Sequence, residues 1–466
     1  MDSEPSPSRE MTFSILGSAA PVLAPRVGTL ALGGRQTIAT PNLVPLTSRG
    51  AVPHISHDMV RKETAINSLY VGLEDFIERK HPAPLYNVPA TANESPLRKF
   101  ICAQDDATIL LGPRRFPAIA CPPNNTETSI AISTSVGFRQ LEAHGYIEAI
   151  QKLKPDIAIG LADMVLGRPP GLKRRGKMVD RTHAYTRDAL EHLYGESVAE
   201  KSKAKFFAPV LPLDNTQQSL YLDDLEGEFK DRIAGLALYE SASLGYISEA
   251  LGDLPRLLLS DPSSPHEVLR EISLGADLLT VPFLQGCSDA GIALDFAFPV
   301  PAAVQARGEP QPLGLDLWSS EHAMDISPLV KGCECYACRN HHRAYFNHLL
   351  RAKEMAAWAL LQMHNHHVID RLMAGARDSI QRGTFEEDVK AFHRAYVANL
   401  PDRTGEGPRL RGYQMPAAGP HQPRRMPKVY GRLDDLSQKF AESQSSVATP
   451  DTDAEGLEKH GFAERI

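Results

Sequence analysis

The stretch Cys333-Glu-Cys-Tyr-Ala-Cys338 places three of the six cysteines of this chain within six positions. Thiols that only fill a core are scattered along a sequence, whereas a tetrahedral zinc site needs thiolates that converge to about 2.3 Å from one ion. The spacing therefore predicts a metal site. Because a tetrahedral shell has four positions, a fourth ligand must come from elsewhere in the chain.

Several histidines after the cysteines could supply this fourth ligand. Two helical patterns follow Cys338, one over 339–350 and a longer one over 353–380. Spacing alone leaves six candidates open: His341, His342, His348, His364, His366 and His367. One straight helix would carry His364 roughly 40 Å from Cys338, so this ligand requires the two helices to fold back on each other. Three thiolates and one imidazole leave no position for water, which indicates a structural metal.

The composition is that of a soluble globular protein. The 466 residues are 42% hydrophobic and 23% charged, and the formal net charge of -7 argues against a general nucleic-acid coat. No run of about 18 apolar residues is present, and the first residues lack the basic-then-apolar order of a signal peptide. We therefore expect a cytosolic protein without an integral membrane segment. In that compartment the other three cysteines should be reduced thiols: Cys102, Cys121 and Cys287.

Upstream of the cysteines, short apolar runs alternate with helical patterns. One such pattern follows the Ser-Pro pair at Ser264, and the strand-like runs are 156–161, 206–211, 233–238, 256–260 and 277–281. Strict alternation predicts parallel strands joined by crossover helices. Both a doubly wound sheet and a (β/α)8 barrel satisfy the pattern, and the number of units favours the barrel. Residues 1–10 and 401–466 lack apolar periodicity, so we expect a disordered leader and a disordered tail around a domain over 11–400.

An ordered series of motifs surrounds the cysteines: Leu315-Asp-Leu-Trp318, His322-Ala-Met-Asp-Ile-Ser-Pro-Leu329, Arg343-Ala-Tyr-Phe-Asn-His-Leu349 and Leu361-Gln-Met-His-Asn365. This series resembles the zinc subdomain of tRNA-guanine transglycosylases. Weaker matches at 28–30, 40–50, 234–237 and 275–277 extend the resemblance over about 11–400. It implies an α/β fold, a (β/α)8 TIM barrel with an inserted zinc-binding helical subdomain at about 315–385. The family's Leu-x-x-His-Asn context selects His364, so the resemblance implies one structural zinc held by Cys333, Cys335, Cys338 and His364.

The same resemblance implies that catalytic residues are missing. Catalytic members carry a nucleophilic aspartate in Gly-x-Asp-x-x-Asp, and the matching segment ends at Thr280, whose hydroxyl is a poor nucleophile without an adjacent base. The second aspartate, in Asp-Ser-Gly-Gly-Phe-Gln, has its best match at 134–139, where no carboxylate stands. The base-recognition segment Val-Gln-Gly-Gly corresponds to 210–213, which reads Val-Leu-Pro-Leu.

Three aspartates are candidates to replace the missing carboxylates: Asp163, Asp277 and Asp289. Asp277 matches an aspartate that catalytic members carry beside the nucleophile, so it is not a replacement. Asp289 lies in a loop-like Gly-Cys-Ser-Asp-Ala-Gly stretch, where a solvated aspartate is the simpler explanation. Asp163 follows a strand-like run, but its match is ambiguous by one residue.

Taken together, the losses imply a non-catalytic subunit that forms a heterodimer with a catalytic partner through a surface supported by the zinc. The complex, a pentosyltransferase, would exchange guanine for queuine at wobble position 34 of tRNA. The alternative is a self-sufficient transglycosylase with an unrecognised carboxylate. A zinc module that binds nucleic acid alone fits poorly with the acidic net charge.

Two basic segments, 173–177 and 339–343, are candidates for contacts with tRNA phosphates in such a complex. The resemblance adds peripheral association with the mitochondrial outer membrane to the cytosolic expectation.

Overall fold

The computed structural model describes residues 10–17, 22–77, 83–91, 93–121, 124–134, 137–167 and 169–408. Most of the expected leader and tail therefore lies outside the described residues. Of the segment matched to the second catalytic aspartate, Ser135 and Val136 also lie outside them. Among the helices in the described ranges, none combines the length and the apolar character needed to span a membrane.

In the described ranges, fifteen strands form four sheets. In chain order they are β1 Met11–Leu16, β2 Val27–Leu32, β3 Ile38–Thr40, β4 Asn42–Leu43, β5 Ser68–Gly72, β6 Thr108–Gly112, β7 Ser129–Thr134, β8 Gly137–Glu142, β9 Ile157–Ile159, β10 Lys205–Val210, β11 Gly235–Leu238, β12 Arg256–Leu258, β13 Leu278–Leu279, β14 Ile292–Leu294 and β15 Gly314–Asp316. Eight of them make one parallel sheet, in the order β4-β13-β12-β11-β10-β9-β6-β5. β1, β2 and β3 form an antiparallel sheet, as do the hairpins β7-β8 and β14-β15.

The parallel sheet closes into a barrel. A parallel bridge joins Leu46, just after β4, to Tyr70 in β5. The backbone N–H of Tyr70 donates to Pro45 O at 2.9 Å, and that of Thr47 donates to Tyr70 O at 3.1 Å. Each strand thus pairs with the strands that precede and follow it in the ring. The expected (β/α)8 barrel is confirmed, and the doubly wound alternative is excluded.

The part of the chain that the structure describes also contains twelve α-helices: α1 His57–Glu63, α2 Pro96–Phe100, α3 Ala143–Leu153, α4 Leu172–Tyr194, α5 Asn215–Glu226, α6 Pro265–Ser273, α7 Pro282–Ala290, α8 Ala302–Gln305, α9 Tyr336–Asn340, α10 Arg343–Arg351, α11 Met355–Arg382 and α12 Phe385–Ala395. Successive side chains of a β-strand point to opposite faces of the sheet. In the barrel strands they therefore point alternately into the barrel and toward the outer helices. Tyr70, Leu110 and Phe207 fill the interior, whereas Val71 and Leu111 face the outer helices.

The two ends of the barrel are chemically distinct. At the amino ends of the strands, the β1-β2-β3 sheet closes the barrel, and its Arg26 pairs with the buried Asp277. At the carboxyl ends, the barrel mouth carries Thr280 after β13 and Asp163 after β9. Active sites of this fold are built at the mouth. Asp163 therefore lies at the end of the barrel where an active site would form, whereas Asp277 lies at the opposite end.

The structure corrects two local expectations. The stretch that contains Asp289 is not a loop, because it forms the last turns of α7. The helical pattern over 339–350 is two helices, α9 and α10, with His341 and His342 in extended conformation between them.

After α12 the chain returns across the helical subdomain. Gly405 lies directly on the indole of Trp318, where an added Cβ would stand 2.2 Å from Cδ2. Gly291 approaches the same indole at its nitrogen, with its Cβ position 2.5 Å from Nε1. The hydroxyl of Thr404 donates to Asp316 at 2.5 Å. Only residues without a side chain fit at both glycines, so the segment 403–407 acts as a strap over Trp318.

Candidate metal centre

The loop before α9 brings the three cysteines together. Gly332 has a φ of +81°, a left-handed conformation that favours glycine and turns the chain into Cys333. Cys335 occupies the N-cap position of α9, where its Sγ accepts the backbone N–H of Cys338 at 3.3 Å. Cys335 and Cys338 therefore face the same point from one helical turn.

His364 on α11 faces the three sulfurs. Its Nδ1 lies 3.8 Å from Cys333 Sγ, 3.4 Å from Cys335 Sγ and 3.5 Å from Cys338 Sγ. All four ligand atoms lie within 4.8 Å of one another. In a tetrahedral zinc site with ordinary bond lengths, sulfur and nitrogen ligands stand about 3.6 Å apart. The four residues therefore fit a divalent metal ion, and the cluster can hold one.

The other ring nitrogen of His364 is fixed by a strand. Nε2 donates to the carbonyl of Leu294 in β14 at 2.8 Å, which leaves Nδ1 available as a ligand. The next residue, Asn365, accepts the backbone N–H of Leu294 at 2.9 Å and donates to Ser288 Oγ and Ile292 O. This asparagine belongs to the motif Leu361-Gln-Met-His-Asn365, but the sequence alone does not predict that it joins α11 to β14.

The four groups also compete for protons. Hydrogen bonds from Cys335 and Cys338 lower the pKa of Cys333, whereas contact with Cys333 and Cys335 raises the pKa of Cys338. Burial lowers the pKa of His364, but hydrogen bonds to Cys333 and Cys335 outweigh it and raise the pKa to about 9. A bound cation would take the place of these shared protons.

Four of the other candidate histidines have different surroundings. His341 stacks on Tyr345 with ring centroids 5.3 Å apart, and His342 caps α10 by accepting the backbone N–H of Tyr345. His348 is exposed on α10. His366 is buried beside Gln362, and burial lowers its pKa to about 4.

His367 also touches the cluster, through a hydrogen bond that lowers the pKa of Cys333. It does not belong to the group of four close ligand atoms. Of the six histidines that spacing alone leaves open, His364 is the one whose ligand atom groups with the three sulfurs in the described residues.

At the barrel mouth, Thr280 is fully buried. Its hydroxyl donates to the carbonyl of Ser260 at 2.9 Å. The segment 210–213 is also tied to the fold, because the amide of Gln218 donates to the carbonyls of Leu211 and Leu213. The Thr280 hydroxyl and the carbonyls of Leu211 and Leu213 are thus all used in hydrogen bonds within the protein.

The three aspartates that could replace the missing carboxylates, Asp163, Asp277 and Asp289, are held in ion pairs. Asp163 is fully buried and paired with Arg174 and Arg181. Burial raises the pKa of Asp163, but hydrogen bonds from Arg174 and Asn125 outweigh it and leave the pKa below its usual value. Asp277 is at the opposite end of the barrel, and Asp289 lies 2.6 Å from His54 Nε2.

A further charged network lies at the barrel mouth and was not predicted from the sequence. Glu74 and Asp75, directly after β5, are buried and pair with Arg115, directly after β6. The available signal was the apolar stretches 68–72 and 108–112 just before these charged residues, since the carboxyl ends of neighbouring parallel strands meet at one edge.

The basic segments are partly engaged in the fold. In 173–177, Arg174 binds Asp163 and Arg175 Nε donates to Pro170 O, so Lys173 and Lys177 are its exposed cations. In 339–343, Arg339 pairs with Glu63 and Arg343 with Asp325.

A closed (β/α)8 barrel with a Cys3His cluster on an added helical subdomain defines a class of barrel proteins with a metal-binding module. A family model described as queuine tRNA-ribosyltransferase matches residues 23–398. The chain belongs to this family.

Its curated relatives include proteins named queuine tRNA-ribosyltransferase accessory subunit 2. That of Schizosaccharomyces pombe is 37% identical over 384 residues, which cover 82% of this chain and 83% of the relative. That of Gallus gallus is 26% identical over 79% of this chain and 94% of its own length. The relative from Anopheles gambiae is 25% identical over 88% of this chain and 93% of its own length.

Proposed function

We propose that this chain is the non-catalytic subunit of a heterodimeric queuine tRNA-ribosyltransferase. It supports a catalytic subunit that exchanges guanine for queuine at wobble position 34 of tRNA. The names of the relatives and their coverage of most of this chain support the proposal. The observation that carries it is Thr280, which stands where the family's nucleophile is expected.

The surroundings of Thr280 fit a residue that does not act as a nucleophile. A nucleophilic hydroxyl needs a base that removes its proton. The proton of Thr280 instead points to the carbonyl of Ser260, an acceptor that cannot be protonated at neutral pH. The mouth carboxylates Asp163, Glu74 and Asp75 are each committed to arginine.

Base exchange by purified chains tests the proposal. Labelled queuine and tRNA are incubated with this chain alone, with the catalytic partner alone, and with both. We expect incorporation by the pair and none by this chain alone. Incorporation by this chain alone, together with a covalent tRNA adduct, would establish the alternative of a self-sufficient transglycosylase.

For the metal we propose one zinc ion per chain, bound by Cys333, Cys335, Cys338 and His364. Thiolate and imidazole ligands are typical of structural zinc, and four protein ligands leave no position for water. The ion would hold the helical subdomain, about 315–385, in the shape that the partner contacts.

We further propose that the complex works in the cytosol and associates peripherally with the mitochondrial outer membrane. Fractionation of cells that express a tagged chain tests both locations. The domain boundaries of 11–400 belong to the same proposal and can be tested by limited proteolysis.

A further inference from the structure

A lysine-rich turn leads into β10 at the amino end of the barrel. It reads Glu200-Lys201-Ser202-Lys203-Ala204-Lys205 and is called the lysine turn below. Lys201 and Lys203 are exposed, and no carboxylate in the described part of the chain forms an ion pair with either. The turn thus concentrates positive charge in a chain whose formal net charge is -7.

The backbone of the lysine turn is held in place. The N–H of Ser202 donates to Leu193 O at 2.9 Å, and the hydroxyl of Tyr194 donates to Ala204 O. The N–H of Lys205 donates to Asp156 O at 2.9 Å, where β10 begins beside β9. The lysines therefore project from a fixed backbone, so a ligand does not have to order the turn when it binds.

A cavity of about 300 Å³ opens beside the turn. Its charged lining consists of Lys154, Lys201 and Lys203 against a single carboxylate, Glu200. Three cations against one anion give the cavity a positive potential, which favours an anionic ligand.

Lys201 also borders a second cavity, of about 610 Å³. There Lys205 and Arg232 stand opposite Asp231 and Asp253. This second cavity has a smaller excess of positive charge, so the anion site centres on the first.

Helix capping explains only part of this charge. Lys154 occupies the C-cap position of α3, where a cation is favoured by the helix dipole. Lys201 and Lys203 lie seven and nine residues after the last residue of α4, Tyr194, beyond the range of its dipole. Burial alternates through the turn, so these two lysines share its exposed side. Two neighbouring ammonium groups can contact successive phosphates of one strand.

We propose that the lysine turn binds phosphate groups of an RNA backbone. The inference rests on the proposed function, which supplies tRNA as the substrate of the complex. Lysine acts on phosphate as a point charge, so the contact adds affinity without reading bases. Because the turn lies at the end of the barrel opposite Thr280, this surface is separate from the barrel mouth.

The test uses Lys201→Glu combined with Lys203→Glu in the full chain, copurified with the catalytic partner. The control is Lys390→Glu combined with Arg394→Glu, which makes the same charge change on the exposed side of α12. The Kd for tRNA is measured by fluorescence anisotropy over a range of salt concentrations. We expect the turn variant to bind tRNA roughly ten-fold more weakly, with a salt slope lower by about 1.5, and the control to bind as wild type does.

Equal Kd values and equal salt slopes for the turn variant and the control overturn the proposal. Thermal unfolding of both variants shows that they are folded. Vesicles that contain phosphatidylserine, and inorganic phosphate alone, are titrated in parallel. If the substitutions abolish binding to vesicles or to inorganic phosphate but leave tRNA binding unchanged, the turn serves another ligand and the RNA assignment is wrong.

The same preparations separate this inference from the proposed function. If the wild-type complex does not exchange the base, the proposed function fails whatever the turn does. If it exchanges the base and the turn variant binds tRNA normally, only the inference about the lysine turn fails.

Discussion

Cys335 contributes to the metal centre in two ways. Its sulfur lies 3.4 Å from Nδ1 of His364, and it also accepts the N–H of Cys338 where α9 begins. The first contact brings Cys335 into the cluster that could hold a metal ion, and the second caps α9. A serine at this position would replace a thiolate by a weaker ligand for zinc.

We therefore expect Cys335→Ser to bind less than about half a zinc ion per chain and to unfold with a free energy lower by roughly 3 kcal/mol. Metal analysis and chemical denaturation measure the two effects. Cys102→Ser, at an exposed thiol, is the matched control. Full zinc occupancy in the Cys335 variant would show that this residue is not a ligand.

At this scale the sequence was informative where chemistry depends on spacing along the chain. Three thiols in six positions predicted a metal site, and the structure places them together. The state of Asp163 could not be read in this way, because its arginine partners lie 11 and 18 residues away on α4. Their distance from the aspartate depends on how α4 packs on the barrel.

Among the elements, the junction between α11 and β14 supports the metal centre. Asn365 satisfies the backbone N–H of Leu294 and binds Ser288 and Ile292, all in buried surroundings. Its neighbour His364 binds the carbonyl of the same Leu294. One strand residue thus fixes the height and rotation of the helix that presents the histidine.

Asn365→Ala removes these contacts and leaves the N–H of Leu294 without its partner. We expect the free energy of unfolding to fall by about 2–4 kcal/mol, because a buried polar group loses its hydrogen bond. Urea denaturation of the zinc-bound protein measures this change. Asn340→Ala, at an exposed residue of α9, should cost much less. Equal losses in the two variants would contradict the role given to Asn365.

The buried Glu271 on α6 predicts that the stability of the folded protein depends on pH. Burial raises the pKa of this carboxyl to about 7, and its Oε2 has no hydrogen-bond partner. The unfolded chain loses this proton near pH 4.5, so between pH 4.5 and 7 the folded state binds more protons and stability falls as pH rises.

Glu271→Gln should abolish this fall and make the protein more stable than wild type above pH 7, by at most about 3 kcal/mol. Denaturation curves at pH 6 and pH 8 measure the difference. Glu386→Gln, at an exposed position of α12, should leave the wild-type pH dependence in place. A Glu271 variant that keeps it would assign the effect to another group.

The elements also show why periodicity located the barrel strands but not the break between α9 and α10. Apolar runs such as 206–211 coincide with strands because those strands are buried on both faces. His341 and His342 interrupt the helix through extended backbone and a histidine cap. Neither residue is a typical helix breaker, so the hydrophobic pattern continued across them.

In the whole molecule, the residues around the cysteines form a hydrophobic core distinct from the two cores that hold most barrel residues. This core joins Leu349, Trp358 and Leu361 to the cysteines and also includes Leu69 of β5. The second half of α11 packs in the barrel core through Ile369 and Leu372. Both tryptophans of the chain, Trp318 and Trp358, contact the core of the subdomain. Intrinsic tryptophan fluorescence therefore reports on the subdomain and not on the barrel.

Removal of the metal with a chelator should accordingly shift tryptophan emission to longer wavelength. Far-UV circular dichroism should lose only a minor part of its signal, because the barrel core does not depend on the ion. Binding of the catalytic partner, measured by analytical ultracentrifugation, should weaken by at least roughly ten-fold. Addition of zinc should restore all three signals. Loss of the entire circular dichroism signal would show instead that the barrel also depends on the metal.

The strap over Trp318 determines where probes can be attached. Gly405 lies against the indole and Thr404 is bonded to Asp316, so the chain is still beside the subdomain at Pro408. A photo-crosslinker attached through Pro408→Cys would then start beside the helical subdomain without altering any of the four residues of the metal site. Mass spectrometry of its adducts would map the neighbours of this subdomain in a cell extract.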